Sequence, residues 1–383
     1  MKQRIRIGMV GGGEGAFIGA VHRIAARIDD RFELVAGALS SDVERSKQSA
    51  LALGIDIDRA YDTFTAMAVQ EKQRTDGIQA VIIVTPNHMH FPVAQAFLQQ
   101  GIHVICDKPV TRTLEEALAL EQQVRESGAL FALTHNYTGY PLVRHAQHLV
   151  QTGVLGTLRT IQVEYAQDWL TQKIEDTGNK QAQWRTDPSK SGLAGCLGDI
   201  GTHAFNLACF ISGQDVEEVA ADLTAFVLGR QLDDNVHTML RFSGGAKGML
   251  WASQVAPGNE NSLKIRLYGD KGGLEWAQES PNELWLSAFG EPTQRLTRAG
   301  ATMSPVANAA SRIPAGHPEG YLEGFATLYL DIANAIDALE KGADINSVQG
   351  LIPSISDGVV GMKFIQAVLK SSEQNSAWQK VAP

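Results

Sequence analysis

The nine residues Gly11-Gly12-Gly13-Glu14-Gly15-Ala16-Phe17-Ile18-Gly19, entered directly from the β-branched run at 5–10, constrain this chain more than any other stretch. Within them Gly11-x-Gly13-x-x-Ala16 matches the dinucleotide fingerprint, with alanine at the third place. Glycines let the backbone turn tightly and approach a pyrophosphate, and the helix that follows offers its positive end to the phosphates. A strand before and a helix pattern after make a merely flexible turn the poorer account. Gly15, Phe17 and Ile18 lie at the same junction and join Gly11, Gly13 and Ala16 as candidate cofactor contacts. The loop is longer than the fingerprint needs, which leaves open which glycine does which job.

Around this loop two periodicities alternate. Apolar, β-branched runs recur at 5–10, Phe32–Ala38, Ala80–Val84, His103–Cys106 and 130–134, and helical patterns separate them. Ile18, Val21, Ala25 and Ile28 fall on one helix face. Ser41-x-x-Glu44 and Thr113-x-x-Glu116 read as capping boxes, and Gly54, Gly101 and Gly128 stand where helices should stop. Nearly uninterrupted apolar strands alternating with helices predict a parallel sheet covered on both faces. The fold class is therefore α/β, with a doubly wound Rossmann domain over residues 1–137.

After about residue 155 longer alternating runs take over, at 157–169, 216–228, Asn235–Phe242, 247–255 and 263–268, with glycine-rich turns between them. They predict an α+β second domain over 138–383 with a large, open, mostly antiparallel sheet. A helix starts near Gly201, and a long one over 319–341 buries Leu322, Phe325, Leu328, Tyr329, Ile332 and Ile336. A C-terminal helix that packs back on the first domain is one arrangement open to such a chain. The stretch 290–316 has little pattern and reads as a lid, an oligomer arm or a surface loop.

Composition narrows the partners. With 383 residues the chain is long enough for two to three domains at roughly 150 residues each, and for a core without staples. A net charge of −9 repels phosphate backbones, so nucleic acid is not the expected partner. Cys106, Cys196 and Cys209 form no C-x-x-C pair, which disfavours a cysteine metal site and fits a reducing, cytoplasmic setting. No apolar run approaches the roughly 18 residues of a membrane span, and the apolar stretch after the basic start is too short for a signal peptide. His145-x-x-His148 has helical metal spacing, but no third ligand is evident, so no metal is expected.

The tip of the second strand reads Ala38-Leu39-Ser40-Ser41-Asp42, followed by Arg45. A carboxylate there normally binds the adenosine ribose of NAD. Here Ser40, Ser41 or Asp42 can serve the ribose, and Arg45 can accept a 2′-phosphate. Ser41 and Asp42 also read as plain capping residues. NAD is the expected cofactor, with NADP possible.

Three further clusters carry a specific resemblance: Thr85-Pro86-Asn87-His88-Met89-His90 after one strand, Asp107-Lys108-Pro109 after the next, and Gly198-Asp199-Ile200-Gly201-Thr202-His203 in the second half. With the glycine-rich start, the chain resembles the glucose–fructose oxidoreductase and inositol dehydrogenase family (Gfo/Idh/MocA) over essentially its whole length. Asp107 stands where the family has glutamate, and the third residue after His203 is Asn206 where aspartate is frequent one place later. The resemblance implies that Thr85, Pro86, Asn87, His90, Asp107, Lys108 and Pro109 border the cofactor. It also implies that Trp184 and Arg185 cover the active site, with Arg185 reaching the cofactor phosphate or the substrate, and that the bond before Pro109 is cis.

Physical chemistry supports those roles. Strands of a doubly wound sheet deliver their carboxyl ends to the ligand crevice, which places 85–87 and Lys108 beside a cofactor. Asp199 and His203, four apart, share a face if helical. Oxidising an alcohol requires removal of its proton as hydride leaves carbon. His203 suits that task, because its reference pKa lies near neutrality. Lys108 can stabilise the developing alkoxide and Asp199 can hold a neighbouring hydroxyl. The catalytic set is therefore Lys108, Asp199 and His203, with Tyr137 and Trp184 beside the substrate. Simpler roles stand beside these: a surface lysine, an N-cap aspartate, a structural histidine and a core tyrosine. Such a chain is expected to be an NAD(P)-dependent dehydrogenase of a sugar, sugar derivative or inositol-like polyol, acting as a homodimer or homotetramer. The alternative is an NAD-dependent glycoside hydrolase that works by transient oxidation and elimination.

Overall fold

Five parallel strands grow out of the five β-branched runs: β1 (Ile5–Gly11), β2 (Phe32–Ala38), β3 (Ala80–Val84), β4 (His103–Cys106) and β5 (Phe131–Leu133). Their order is β2-β1-β3-β4-β5, so the direction of winding reverses between β1 and β3. Every residue of β3 is buried, as expected of a strand covered on both faces. The computed structural model describes residues 3–381 and separates into two units. One joins the residues up to Asn136 with Tyr321–Val359, and the other joins Tyr137–Gly320 with the residues from Val360 on.

The long late helix is Tyr321–Leu339, and it packs against the helix Phe17–Ile28 within the first unit. Phe325, Tyr329, Ile332 and Ile336 enter the same core as Val21, Ala25 and Phe32. His22 is fully buried at this contact, its Nδ1 2.8 Å from the Tyr329 hydroxyl and its ring 5.0 Å from that of Phe325. Burial pushes the His22 imidazole down to about 4, against the charge of Asp107, so it is neutral at pH 7.

One capping box moves. The helix Val43–Ala52 is capped by Asp42, whose Oδ1 accepts the Arg45 amide at 2.8 Å, and not by Ser41. The Ser40 hydroxyl accepts the Asp42 amide at 3.1 Å and delays the helix start by one residue. At the helix Leu114–Ser127, Thr113 caps Glu116 as expected, but the Glu116 carboxylate reaches back to the Arg112 amide.

The second unit is built on nine strands: β6 (Leu158–Ala166), β7 (Val216–Thr224), β8 (Asn235–Phe242), β9 (Lys247–Ser253), β10 (Ser262–Gly269), β11 (Gly272–Ala277), β12 (Glu283–Ala288), β13 (Gln294–Thr297) and β14 (Gln379–Lys380). Their order is β13-β12-β11-β10-β6-β9-β8-β7-β14, antiparallel throughout except for the parallel pair β6–β9. Alternate residues of β8 and β9 are buried, while Met239 and Met249, directly opposed, are about half exposed. One face of this sheet is thus open and partly apolar.

The stretch 290–316 is neither free nor patternless. It holds β13 and the short helix Pro305–Ala309, and it is tied to a buried pair, Arg298 with Glu319, at 2.9 Å. Arg298 also donates to the carbonyls of Ile313, Pro314 and His317, and Glu319 accepts the amides of Arg312 and Ile313. His145 Nδ1 accepts the Ser304 amide at 3.2 Å, and among the described residues no three metal-ligating side chains cluster. No helix among them is long and apolar enough to cross a membrane.

Candidate active site

In the first unit the carboxyl ends of β1, β3 and β4 carry the expected cofactor residues. Gly11 and Gly12 leave β1 with φ of +78° and +72°, a conformation that disfavours any side chain. A Cβ on Gly12 would lie 3.0 Å from the Cα of Gly19, and one on Gly19 would lie 2.4 Å from the Cα of Gly12. The close loop-to-helix contact is thus made by Gly12 and Gly19, not by Ala16 at the third place of the fingerprint. A glycine inside a helix costs about 1 kcal/mol relative to alanine, and that cost at Gly19 was the signal for the second half of the pair. Ala16 precedes the helix Phe17–Ile28 and gives it no side-chain cap, whereas Asp42 and Thr113 cap theirs. Bare glycines and an uncapped helix start suit a pyrophosphate.

Two arginines that sequence reasoning assigned elsewhere or missed hold this loop. Arg23 donates to the Gly12 carbonyl at 2.5 Å, and Arg45 donates to the Glu14 carbonyl at 2.8 Å. Ser41 and Asp42 are exposed at the tip of β2, and Ser40 is half-buried. Gly11 faces Thr85 across the switch between β1 and β3: a Cβ on Gly11 would lie 3.0 Å from the Thr85 methyl.

Lys108 follows β4, and the Lys108–Pro109 bond is cis. Asp107 beside it accepts the Thr134 hydroxyl at 2.8 Å. His90 is buried with both ring nitrogens on carbonyl oxygens, Nδ1 at 2.7 Å from Pro109 and Nε2 at 2.9 Å from Thr85. Burial lowers its pKa, opposed by Asp107 and by those two carbonyls. The ring therefore braces the loops after β3 and β4.

In the second unit Asp199 lies in the π-helical turn Leu197–Gly201, which runs straight into the helix Thr202–Ser212 that carries His203. The helical winding thus begins four residues before the point expected from sequence. Asp199 is not an N-cap: its amide donates to the Gly195 carbonyl at 2.9 Å, and its carboxylate faces side chains. Asp233 fixes the start of the turn, its two oxygens accepting the amides of Gly195 and Leu197 at 2.6 and 2.7 Å. Burial of that carboxyl raises it to about 6, opposed by the same two amides.

Asp199 Oδ2 accepts Arg185 Nε at 3.1 Å and Gln254 Nε2 at 2.9 Å. The Arg185 guanidinium also stacks over Trp184 at 4.2 Å. His203 is buried beside Tyr137, ring centroids 4.9 Å apart and nearly perpendicular. Tyr137 is itself buried, with its hydroxyl 2.6 Å from that of Tyr165. Asp199 and His203 are brought onto one helical segment as the spacing implied. Gln254, Gln167 and Asn261 were missed, because isolated amides on strand ends leave no pattern in sequence.

The glycine pair yields a direct expectation. Gly19→Ala drives a methyl into the Gly12 backbone, which no rotamer can relieve, and should weaken NADH binding at least tenfold in a fluorescence titration. Unchanged affinity would show that the loop does not shape the pyrophosphate site.

Comparison with known proteins agrees with both halves. The profile described as oxidoreductase family, NAD-binding Rossmann fold, matches residues 5–135, and that described as GFO/IDH/MocA C-terminal domain matches 143–275. A solved oxidoreductase from Sinorhizobium meliloti is 54% identical, covers 98% of this chain and 99% of its own, and superposes with a TM-score of 0.89. An inositol dehydrogenase homolog from Azotobacter vinelandii, complexed with NADH and myo-inositol, is 35% identical over 99% of this chain and 98% of its own, with a TM-score of 0.92. The levoglucosan dehydrogenase of Pseudarthrobacter phenanthrenivorans is 26% identical over 98% of this chain and 97% of its own.

Proposed function

The chain belongs to the GFO/IDH/MocA oxidoreductase family, and on that premise we propose that it is an NAD-dependent dehydrogenase of a cyclic polyol or sugar. The observation that supports this most is the Asp199–His203 segment: a histidine and an arginine-paired aspartate on consecutive helical turns. Bound NAD supplies the hydride acceptor at nicotinamide C4. The glycine loop from Gly11 to Ala16 and the uncapped helix start hold the pyrophosphate, Ser40 to Asp42 the adenosine ribose, and Thr85 to Asn87 the nicotinamide half.

His203 takes the proton of the reacting hydroxyl as hydride departs. The ammonium of Lys108 suits it to stabilise negative charge developing on the substrate oxygen. Asp199, held by Arg185 at 3.1 Å, binds an adjacent hydroxyl and orients the ring. A vicinal diol on a ring is the minimum that Asp199 and His203 recognise together, and inositols and sugars present it. Trp184, with Arg185 stacked on it, offers an aromatic face to such a ring.

A panel of myo-inositol, levoglucosan, D-xylose and D-glucose, assayed with NAD and with NADP, tests the proposal. Reduction of NAD by at least one of them is the expected result, and no turnover of the panel by the native protein would overturn it. A glycoside cleaved without net NADH would mark the hydrolase chemistry instead. NAD should bind more tightly than NADP, because the Arg45 guanidinium is engaged on the Glu14 carbonyl and no lysine lies at the β2 tip. Calorimetry showing NADP tighter by tenfold, about 1.4 kcal/mol, would give Arg45 a 2′-phosphate role.

The open sheet face, with the Met239–Met249 pair and half-exposed Trp285 and Tyr268, favours a homodimer or homotetramer built on it. Light scattering at micromolar concentration should give a multiple of the chain mass, and a monomer there would exclude this assembly.

A further inference from the structure

Gln254 follows β9 and is almost wholly buried, with its backbone pinned on both sides: its amide donates to the Asp234 carbonyl at 2.9 Å and its carbonyl accepts the Leu170 amide at 3.0 Å. Both side-chain N–H groups have acceptors, Asp199 Oδ2 at 2.9 Å and Gln167 Oε1 at 3.3 Å. From Gln167 the chain of bonds continues to Asn261, whose Oδ1 accepts Gln167 Nε2 and the Tyr165 hydroxyl, each at 2.8 Å. Since Tyr165 donates to Asn261, the 2.6 Å contact between hydroxyls is donated by Tyr137, the residue whose ring meets His203.

We propose that Gln254 is a positioning residue for the reaction, locking the Asp199 carboxylate to a buried amide brace whose far end is the Tyr137 wall of His203. The proposal rests on the roles given above to Asp199 and His203. The brace has a polarity. Asn261 Oδ1 accepts from both arms, so no proton can pass between His203 and Asp199 along it. Its function is geometric: it sets two groups on one helical segment against a common rigid backing. Glutamine is the residue type this place requires. A carboxylate at the same position would confront Asp199 and could not donate, and an aliphatic side chain would leave the Asp199 oxygen with only Arg185 of these two donors.

Gln254→Leu and Gln254→Glu test the proposal, assayed on the best substrate of the panel above beside the native protein and His203→Ala. NADH titration reports whether each variant is folded and binds cofactor. Gln254→Leu should lower kcat/KM about 10- to 100-fold, the usual weight of a hydrogen bond to a charged group, with NADH affinity within twofold of native. Gln254→Glu has a signature that general structural damage would not produce. Its glutamate donates to Asp199 only when protonated, and two facing carboxylates raise the pKa of one of them.

The ratio of variant to native kcat/KM should therefore rise several-fold from pH 8 to pH 6. The other titratable groups about that position are Arg185 beyond Asp199, Asp234 on the backbone amide and the Cys196 thiol, raised by burial. None of these is altered between the two proteins. A native kcat/KM in Gln254→Leu, or a flat ratio in Gln254→Glu, would overturn the proposal while His203→Ala stays inactive. If His203→Ala keeps full turnover, or the native protein turns over nothing in the panel, the active-site roles fail and this positioning role fails with them.

Discussion

Replacing His203 with alanine should lower turnover by about 10²- to 10⁴-fold, the usual weight of a positioned acid–base group. Cofactor affinity should hardly change, because the proposed partner of the imidazole is the substrate hydroxyl, whereas the glycine loop is the proposed cofactor site. The side chain is buried against Tyr137, so its loss also leaves a cavity. Circular dichroism and a melting curve separate that cost from lost chemistry. Lys108→Ala should also lose turnover, through lost alkoxide stabilisation, and should weaken NADH binding. If the two groups act on one proton transfer, the double variant falls by less than the product of the single losses. A folded His203→Ala protein with near-native turnover at saturating substrate would pass the role of base to Lys108.

Arg298→Met is expected to produce the largest loss of stability. Arg298 and Glu319 are each about 2% exposed in their side chains, and the guanidinium serves three backbone carbonyls and Asn282 besides the carboxylate. Methionine keeps much of the volume but strands a buried carboxylate and those acceptors. Breaking one side of such a pair costs about 3–5 kcal/mol. In a unit of this size that corresponds to a fall in Tm of roughly 6–20 °C. Replacing Glu319 as well should restore part of the loss, because the unpaired charge goes with it. A Tm for Arg298→Met within 2 °C of native by calorimetry would show that the pair does not hold the 290–316 segment.

What could be read in the sequence was whatever the backbone periodicity or a charged tip announces. The five parallel strands matched their β-branched runs to within a residue or two, since burial on both faces demands continuous apolar residues. β11 to β13 went unannounced, being short and joined by short turns, and so did β14, which is only two residues long. Asp199 and His203 were visible through their spacing, but the π-helical turn was not, because Asp233 holds its start from 36 residues away. The bracing role of His90 left no trace in sequence, since nothing local reveals that Thr85 and Pro109 lie on either side of its ring. Gly12 and Gly19 fit no single motif, and only their mutual approach explains both.

The helix Tyr321–Leu339 completes the core of a unit whose five strands lie before Asn136. On the ribosome, the surface of the helix Phe17–Ile28 that receives Phe325 and Tyr329 stays bare while all of 137–320 is being made. At about 5–20 residues per second that interval is on the order of tens of seconds, during which His22 and its apolar neighbours face water or a chaperone. The first unit is therefore expected to reach its full core only after the amino-terminal part of the chain has left the ribosome. The nucleotide-binding half matures only once the polypeptide between its two parts has been synthesised.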